Sequence, residues 1–380
     1  MQLLVNTFDS FGLDIGDRSL KAAYIKKHGS DFELKSYGSV DMPKGIFEQG
    51  KIVKQKDFEN SLTNLLKSVS PKKIPTSYVH ACLPETHTFI KVISIQSVKK
   101  EKLAAAIREE LPNHIPLNPD DLYIDWEIVS KTETGEGTTK ILVGAIPKAT
   151  SDSYTKALHN LGLKPISLQI EAEAILRSIL PMEISYTKPV AIIDIGATRA
   201  SFICFDKKTI QFTISMPVAS DDITRKIKEK LNLSEKKAEE AKHLCGLDPS
   251  KGDQVILKIL EPSIVELSNS IKQNLSFYIN HFEGAKPIES IILCGGGANL
   301  IGLISMLSKQ LPETKIYLGD PLLNLVKKRK STYKKINELN SVNFLKNEVD
   351  TDNWHIPKEL TKDKQLGFTT AIGLALSNVI

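Results

Sequence analysis

The chain has 380 residues, 41% hydrophobic and 25% charged, with a formal net charge of +5 spread along its length. This composition supports one or two buried cores, excludes wholesale disorder and gives no reason to propose a nucleic-acid surface. No stretch approaches the roughly 18 to 20 apolar residues of a spanning helix. The N-terminus also lacks a signal-peptide pattern, so the sequence reads as cytoplasmic. In chain order, residues 11–24 (FGLDIGDRSLKAAY) predict a β-hairpin: an apolar run, Asp-Ile-Gly, a short polar turn and a second apolar run. Strands are predicted over 32–40, 78–83 and 88–95, with a helix over 57–69. A helix over 98–111 is stopped by Pro112 and Pro116. Strands over 122–129 and 140–146 flank a polar, Gly-containing turn ending at Thr139, and a helix over 149–161 ends at Gly162.

Residues 191–205 (AIIDIGATRASFICF) repeat the first hairpin about half a chain later, which points to duplicated halves facing each other. Helices are then predicted over 221–231, 234–244 and 254–282. A short buried strand at 291–294 leads into Gly295, Gly296 and Gly297 and a helix over 299–311. The Lys-rich region 327–364 has weak periodicity and reads as a solvated excursion or a docking surface for an acidic partner or lipid headgroups. A last helix is expected over 365–379. Cys82, Cys204, Cys245 and Cys294 form neither a CxxC pair nor zinc-finger spacing, and read as reduced, mostly buried thiols.

The two Asp-Ile-Gly turns carry the chemistry. An aspartate ending a buried strand, followed by glycine, places a carboxylate where a hydrated divalent cation can sit while turn N–H groups approach phosphate oxygens. Asp14 with Gly16 and Asp194 with Gly196 both fit. Ser19, Thr198 and the Lys21 ammonium suit phosphate oxygens, and Gly295 to Gly297 would let backbone approach a base or a phosphate. Each turn taken singly is equally compatible with a satisfied hairpin.

In this order the motifs resemble the actin, sugar kinase and heat-shock-70 superfamily. Asp14 with Lys21 and Ala22 is similar to the first phosphate motif, Asp194 to Thr198 to the second, and Gly295 to Leu300, with Asn299, to the adenosine motif. Ala238-Glu239-Glu240-Ala241-Lys242 resembles an AExxK helix whose Glu239 and Lys242 would border ribose and adenine. Within that superfamily the chain is most similar to the PilM family of type IV pilus assembly, itself related to FtsA. The resemblance rests on GLDIG…SLKAAYI at 12–25, KGIFEQGKIVK at 44–54, 154–177, LCGGGANLIGL at 293–303 and TTAIGLAL at 369–376.

The resemblance implies an actin-like (ribonuclease H-like) α/β fold of two halves, 9–185 and 186–380, with an FtsA-type subdomain inserted at about 86–165. It implies ATP in the cleft with magnesium held near Asp14 and Asp194 through water. It further implies a PilN-like membrane protein whose N-terminal peptide lies in a groove of the first half. This would recruit the chain to the inner face of the cytoplasmic membrane, beside the pilus alignment complex and the cytoplasmic motor; a homo-oligomeric ring is a further possibility. Glu171 matches the place of a water-orienting residue, with Glu173 as runner-up, so at most a slow ATPase is implied. Where the family usually has small hydroxyl residues after the first DxG, this chain has Asp17 and Arg18, and a carboxylate there would repel phosphate unless it turns outward or meets magnesium. An FtsA-like division protein and a sugar-kinase-type phosphotransferase remain rival readings.

Overall fold

A computed structural model of the chain describes residues 8–29, 31–131, 137–181, 188–216, 218–325 and 360–377. The Lys-rich stretch expected over 327–364 lies for the most part outside them. The first half comprises β1 (Ser10–Ile15), β2 (Ser19–His28), β3 (Asp31–Asp41), a small hairpin of β4 (Phe47–Glu48) and β5 (Lys51–Ile52), α1 (Gln55–Ser68), β6 (Ser70–Pro71) and β7 (Tyr78–Leu83). Then follow β8 (Phe89–Gln96), α2 (Leu103–Glu110), β9 (Leu122–Lys131), β10 (Thr138–Pro147), α3 (Lys148–Asn160), β11 (Lys164–Ile170) and α4 (Glu171–Ile179). The second half runs through β12 (Val190–Ile195), β13 (Ala200–Asp206), β14 (Thr209–Met216), α5 (Ser220–Leu231), α6 (Glu235–Cys245), α7 (Val255–His281), β15 (Ser290–Cys294), α8 (Leu303–Gln310) and β16 (Lys315–Leu318). It closes with α9 (Lys362–Gln365) and α10 (Thr369–Leu376).

The repeated hairpin becomes a repeated sheet. In the first, β1, β2 and β3 form an antiparallel meander while β7 and then β11 add in parallel on the other side of β1. In the second, β12, β13 and β14 form the meander and β15 and β16 add in parallel beside β12. Both central strands are buried at every residue, as strands flanked on both edges and covered on both faces must be; hence their unbroken apolar reading. The correspondence extends to register. Asp14 lies opposite Lys21 and Asp194 opposite Ser201, and each turn is closed by the same bond, Gly16 N–H to the Ser19 carbonyl (3.1 Å) and Gly196 N–H to the Arg199 carbonyl (2.9 Å).

The strands of the inserted stretch, β8, β10 and β9, extend the second sheet, joining it through the pairing of Lys91 on β8 with Phe212 on β14. They share with α2 a small core built on Ile93, Ile107, Ile141 and Val143. Helix α3 packs elsewhere: its Tyr154, Ala157 and Leu158 enter the core of the first sheet beside Phe58 and Leu62 of α1. The helix expected from Asn299 begins only at Leu303. Gly296–Asn299 is a single 3-10 turn, and Gly302, at φ +79°, turns the chain against Leu247 before α8 starts.

Helix α10 returns from the end of the chain to wedge between β1 and α4 of the first half. Two glycines make the approach possible: a Cβ on Gly12 would lie 2.2 Å from the Ala371 carbonyl oxygen, and one on Gly373 would lie 1.8 Å from that of Ala174. Arg177 secures the same junction, donating to the Gly373 carbonyl at 3.0 Å and to Ser377 Oγ at 2.7 Å. No helix among the described residues is long and apolar enough to cross a membrane. Because backbone lies directly in the path of the added methyl group, Gly373→Ala should cost about 3 kcal/mol of unfolding free energy. Urea titration would measure it, and a loss below about 0.5 kcal/mol, the range of unremarkable surface changes, would refute the wedge.

Candidate functional site

The carboxyl ends of β1 and β12 point at one another across the cleft between the two sheets, and the turns after them line a cavity of about 90 Å³. Asp14, Gly16, Ser19 and Lys21 reach it from the first half; Asp194, Gly196, Thr198, Gly295 and Gly296 reach it from the second; Glu171, the first residue of α4, closes it from behind. Gly297, Asn299, Glu239 and Lys242 are not part of this lining. Gly297 is required for packing, since a Cβ there would lie 2.4 Å from Ile195 Cγ2. Asn299 Nδ2 bonds back to the Gly296 carbonyl at 3.3 Å. The buried Lys242 ammonium ties α6 to α5 through Ser220 Oγ (2.8 Å) and Thr224 Oγ1 (2.9 Å), and pairs with Glu239 at 2.7 Å. Glu173, the runner-up to Glu171, projects into a separate groove.

Charge crowding dominates the cavity. Asp14 and Asp194 are only 4% and 9% exposed. Burial, with Glu85 and Asp14 nearby, pushes Asp194 up to about 6. Burial, reinforced by Asp194 and opposed by Arg199, raises Glu171 well above the usual carboxylate range. Lys21, 3.3 Å from Asp14, is pushed down by its own burial but raised overall by Asp14 and by the more distant Glu171 and Asp194. The two sides share a further device. Cys82, on β7 beside Asp14, donates its thiol to Asp14 Oδ1 at 3.5 Å, and Cys294, on β15 beside Asp194, donates to Asp194 Oδ1 at 3.6 Å. Burial and the neighbouring aspartate raise both thiols well above their ordinary value, so they stay protonated and serve as donors. The cysteines therefore do more than fill space, a role that required the strand register to see.

Three cross-cleft contacts involve Asp17 and Arg18, the two departures from the first motif. Asp17 Oδ2 accepts from Thr198 Oγ1 and from Arg199 Nη1, the latter at 2.9 Å. Arg18 Nε pairs with Asp221 Oδ2 at 2.7 Å. Arg199 also lies 3.8 Å from Glu171, which in turn accepts from Thr370 Oγ1 at 3.3 Å. Arg199 escaped the sequence reading although it directly follows Thr198. Its signal was a cation inside an otherwise uncharged turn.

The residues fit a metal-bound polyphosphate. Gly295 must lack a side chain, because a Cβ there would lie 2.4 Å from Asp194 Oδ1. Two buried carboxylates supply hard oxygen donors. Among the described residues no group of three His, Cys, Asp or Glu side chains could hold an ion alone, so magnesium here would complete its shell with phosphate oxygens and water.

A second concavity of about 420 Å³ lies between the insert and the first half. Its walls include β9 and β11, each the terminal strand of its sheet, and its lining combines apolar Trp126, Leu142, Leu168 and Ile170 with acidic Asp125, Glu127 and Glu173. Burial raises Glu173, with Asp125 and Glu127 adding to the effect against Arg177.

Paired meanders with parallel additions, facing across a phosphate-sized cleft, define an actin-like fold. The family model for the type IV pilus assembly protein PilM matches residues 12–346. The chain thus belongs to the PilM family. Its structure is similar to that titled PilM-PilN type IV pilus biogenesis complex, at 22% identity and a TM-score of 0.77 over 98% of this chain and 99% of that one. It is also similar to ethanolamine utilization protein EutJ from Carboxydothermus hydrogenoformans, at 12% identity and a TM-score of 0.52 over 96% of this chain and 88% of that one.

Glu85 offers a test of the cleft's charge crowding. It is buried, accepts from Ser201 Oγ, and is raised above 4.5 by burial against the smaller opposing effects of Ser201 and Arg199. The folded state therefore keeps this proton to higher pH than the unfolded chain does, and wild-type stability falls as pH rises from about 4.5 through the raised value. Glu85→Gln has no proton to lose. Thermal melting should show the variant gaining on wild type between pH 4 and pH 8; a difference that is constant over that range would contradict the buried-charge account.

Proposed function

We propose that this protein is a nucleotide-binding adaptor of type IV pilus assembly, holding magnesium-ATP in the cleft and the N-terminal peptide of a PilN-like membrane protein in the groove beside β9 and β11. The observation that carries the first part is the meeting of two equivalent Asp-Ile-Gly turns, with Lys21 and the side-chain-free Gly295, at one cavity. Bound ATP with magnesium would bring positive charge to the two aspartates and phosphate oxygens to the turn N–H groups. Asp14 and Asp194 would hold the ion through its waters, Lys21 would neutralise phosphate, and Ser19 and Thr198 would donate hydroxyls. Glu171 stands at the back of the cavity as the candidate to orient water.

The adaptor role draws on family membership and on the groove. Its mixed lining suits an extended peptide with apolar side chains and a basic end, and the two terminal strands beside it have backbone groups to offer such a segment. Binding there would bring the protein to the inner face of the membrane.

Asp14→Ala and Asp194→Ala should each weaken magnesium-ATP binding by at least about tenfold, the scale of one charge-assisted contact, in calorimetry. Unchanged affinity in both would sink the cleft assignment. Glu171→Ala should slow any phosphate release without loss of ATP affinity; unaltered turnover would remove Glu171 from that role. A synthetic peptide copying the N-terminus of the PilN-like protein from the same source should bind at micromolar strength or better, and Trp126→Ala should weaken it. Absence of binding with and without ATP would refute the adaptor reading.

A further inference from the structure

We propose that Asp17 is an internal stand-in for the terminal phosphate, and that Thr198 and Arg199, which it now engages, are the terminal-phosphate ligands it keeps in reserve. This rests on the nucleotide reading of the same cleft.

Three observations carry it. First, the partners Asp17 has taken from the opposite half are a hydroxyl and a guanidinium, the donor set that recognises a phosphate oxygen. A carboxylate and a phosphate oxygen compete for such donors on equal chemical terms.

Second, the contact is a partition. On one side lies the cavity of about 90 Å³ bordered by the two aspartates; on the other lies a cavity of about 240 Å³ floored by Phe47, His87 and Tyr154. Asp17, Thr198 and Arg199 line both. The smaller space alone is cramped for a hydrated triphosphate tail, and swinging Asp17 away from Thr198 and Arg199 would join the two.

Third, Arg199 is already positioned on the reacting side. Its guanidinium lies 3.8 Å from Glu171, so a phosphate that replaced Asp17 would sit beside the candidate water-orienting carboxylate. That places Thr198 and Arg199 at the terminal phosphate. Asp17 is free to leave because its carboxylate is about one-third exposed and sits at the tip of a turn, whereas Asp14 is held by Lys21 and Cys82 within the sheet.

The device would set specificity. A nucleoside triphosphate recovers the donors that Asp17 gives up, whereas a diphosphate reaches less far and leaves the Asp17 contact in place. Removing the carboxylate should therefore help the triphosphate most.

Calorimetry with magnesium-ATP, magnesium-ADP and inorganic tripolyphosphate on the full chain tests this, using wild type, Asp17→Ala, Asp17→Asn and Asp221→Asn. Asp17→Ala should bind ATP and tripolyphosphate about tenfold more tightly than wild type, with a smaller gain for ADP. Asp17→Asn, which preserves size and guards against a folding defect in the alanine variant, should move the same way, with melting temperatures confirming folded protein. Asp221→Asn breaks the Arg18 pair across the cleft without touching Thr198 or Arg199, and should give a clearly smaller gain.

Equal gains for Asp221→Asn and Asp17→Ala would overturn the proposal, because general loosening would then account for the effect. Unchanged or weaker ATP binding by folded Asp17 variants, with wild type binding normally, would overturn it while leaving the nucleotide cleft standing. Tighter tripolyphosphate binding with no ATP binding in any variant would uphold the stand-in and remove the nucleotide reading. No binding of either probe by any variant would overturn both.

Discussion

Two carboxylates buried at the ends of two central strands, facing each other across a cleft, are the constraint on which the rest of this structure depends. Asp14 and Asp194 lie where water cannot fully solvate them, and burial, with Glu85 and Asp14 nearby, pushes Asp194 up to about 6. The fold answers with nearby donors and cations. The thiols of Cys82 and Cys294 point at the two aspartates from equivalent parallel strands, Lys21 sits against Asp14, and Arg199 lies among Asp17 and Glu171.

The same constraint explains why two halves are needed. One Asp-Ile-Gly turn closes on itself through a single backbone bond, Gly16 to Ser19 or Gly196 to Arg199, and places only one buried carboxylate at its strand end. The first half's side of the cleft is held by the last helix, whose first residues line the cleft themselves. Helix α10, from the end of the chain, fits between β1 and α4 of the first half only because Gly12 and Gly373 carry no side chain. Asn324 adds to it, donating to the Arg177 and Leu180 carbonyls at 2.8 and 2.7 Å and so satisfying backbone left open where α4 ends. The helix that begins at Glu171 is thus held at both ends by residues distant in sequence, and its first carboxylate is held in the cleft.

The insert illustrates a different economy. Its strands extend the second sheet through one pairing at Lys91 and Phe212, while the chain before and after it belongs to the first. That leaves β9 and β11 as neighbouring sheet edges with a mixed apolar and acidic groove beside them.

The sequence alone marked the two hairpins, their duplication and the main helices, but not β14 or β16 of the second sheet. Unbroken apolar runs before each Asp-Ile-Gly can only be flanked strands, and the repetition of the whole hairpin announced two related sheets. It also marked Asp14, Asp194 and the glycines, because the same Asp-Ile-Gly turn recurs in the same hairpin context about half a chain later. Only the tertiary structure decided which polar residues share the cavity. Glu239 and Lys242 tie two helices together outside that cavity, Gly297 serves packing, and Asp17 and Arg18, read along the chain only as departures from the first motif, reach across to the other half, where Asp17 meets Arg199. Local propensity and periodicity record what a residue does to its own strand or turn. Contacts between residues about 180 to 200 positions apart, such as Asp17 with Arg199 or Arg18 with Asp221, leave no local trace, because they exist only once two separately folded sheets have been set face to face.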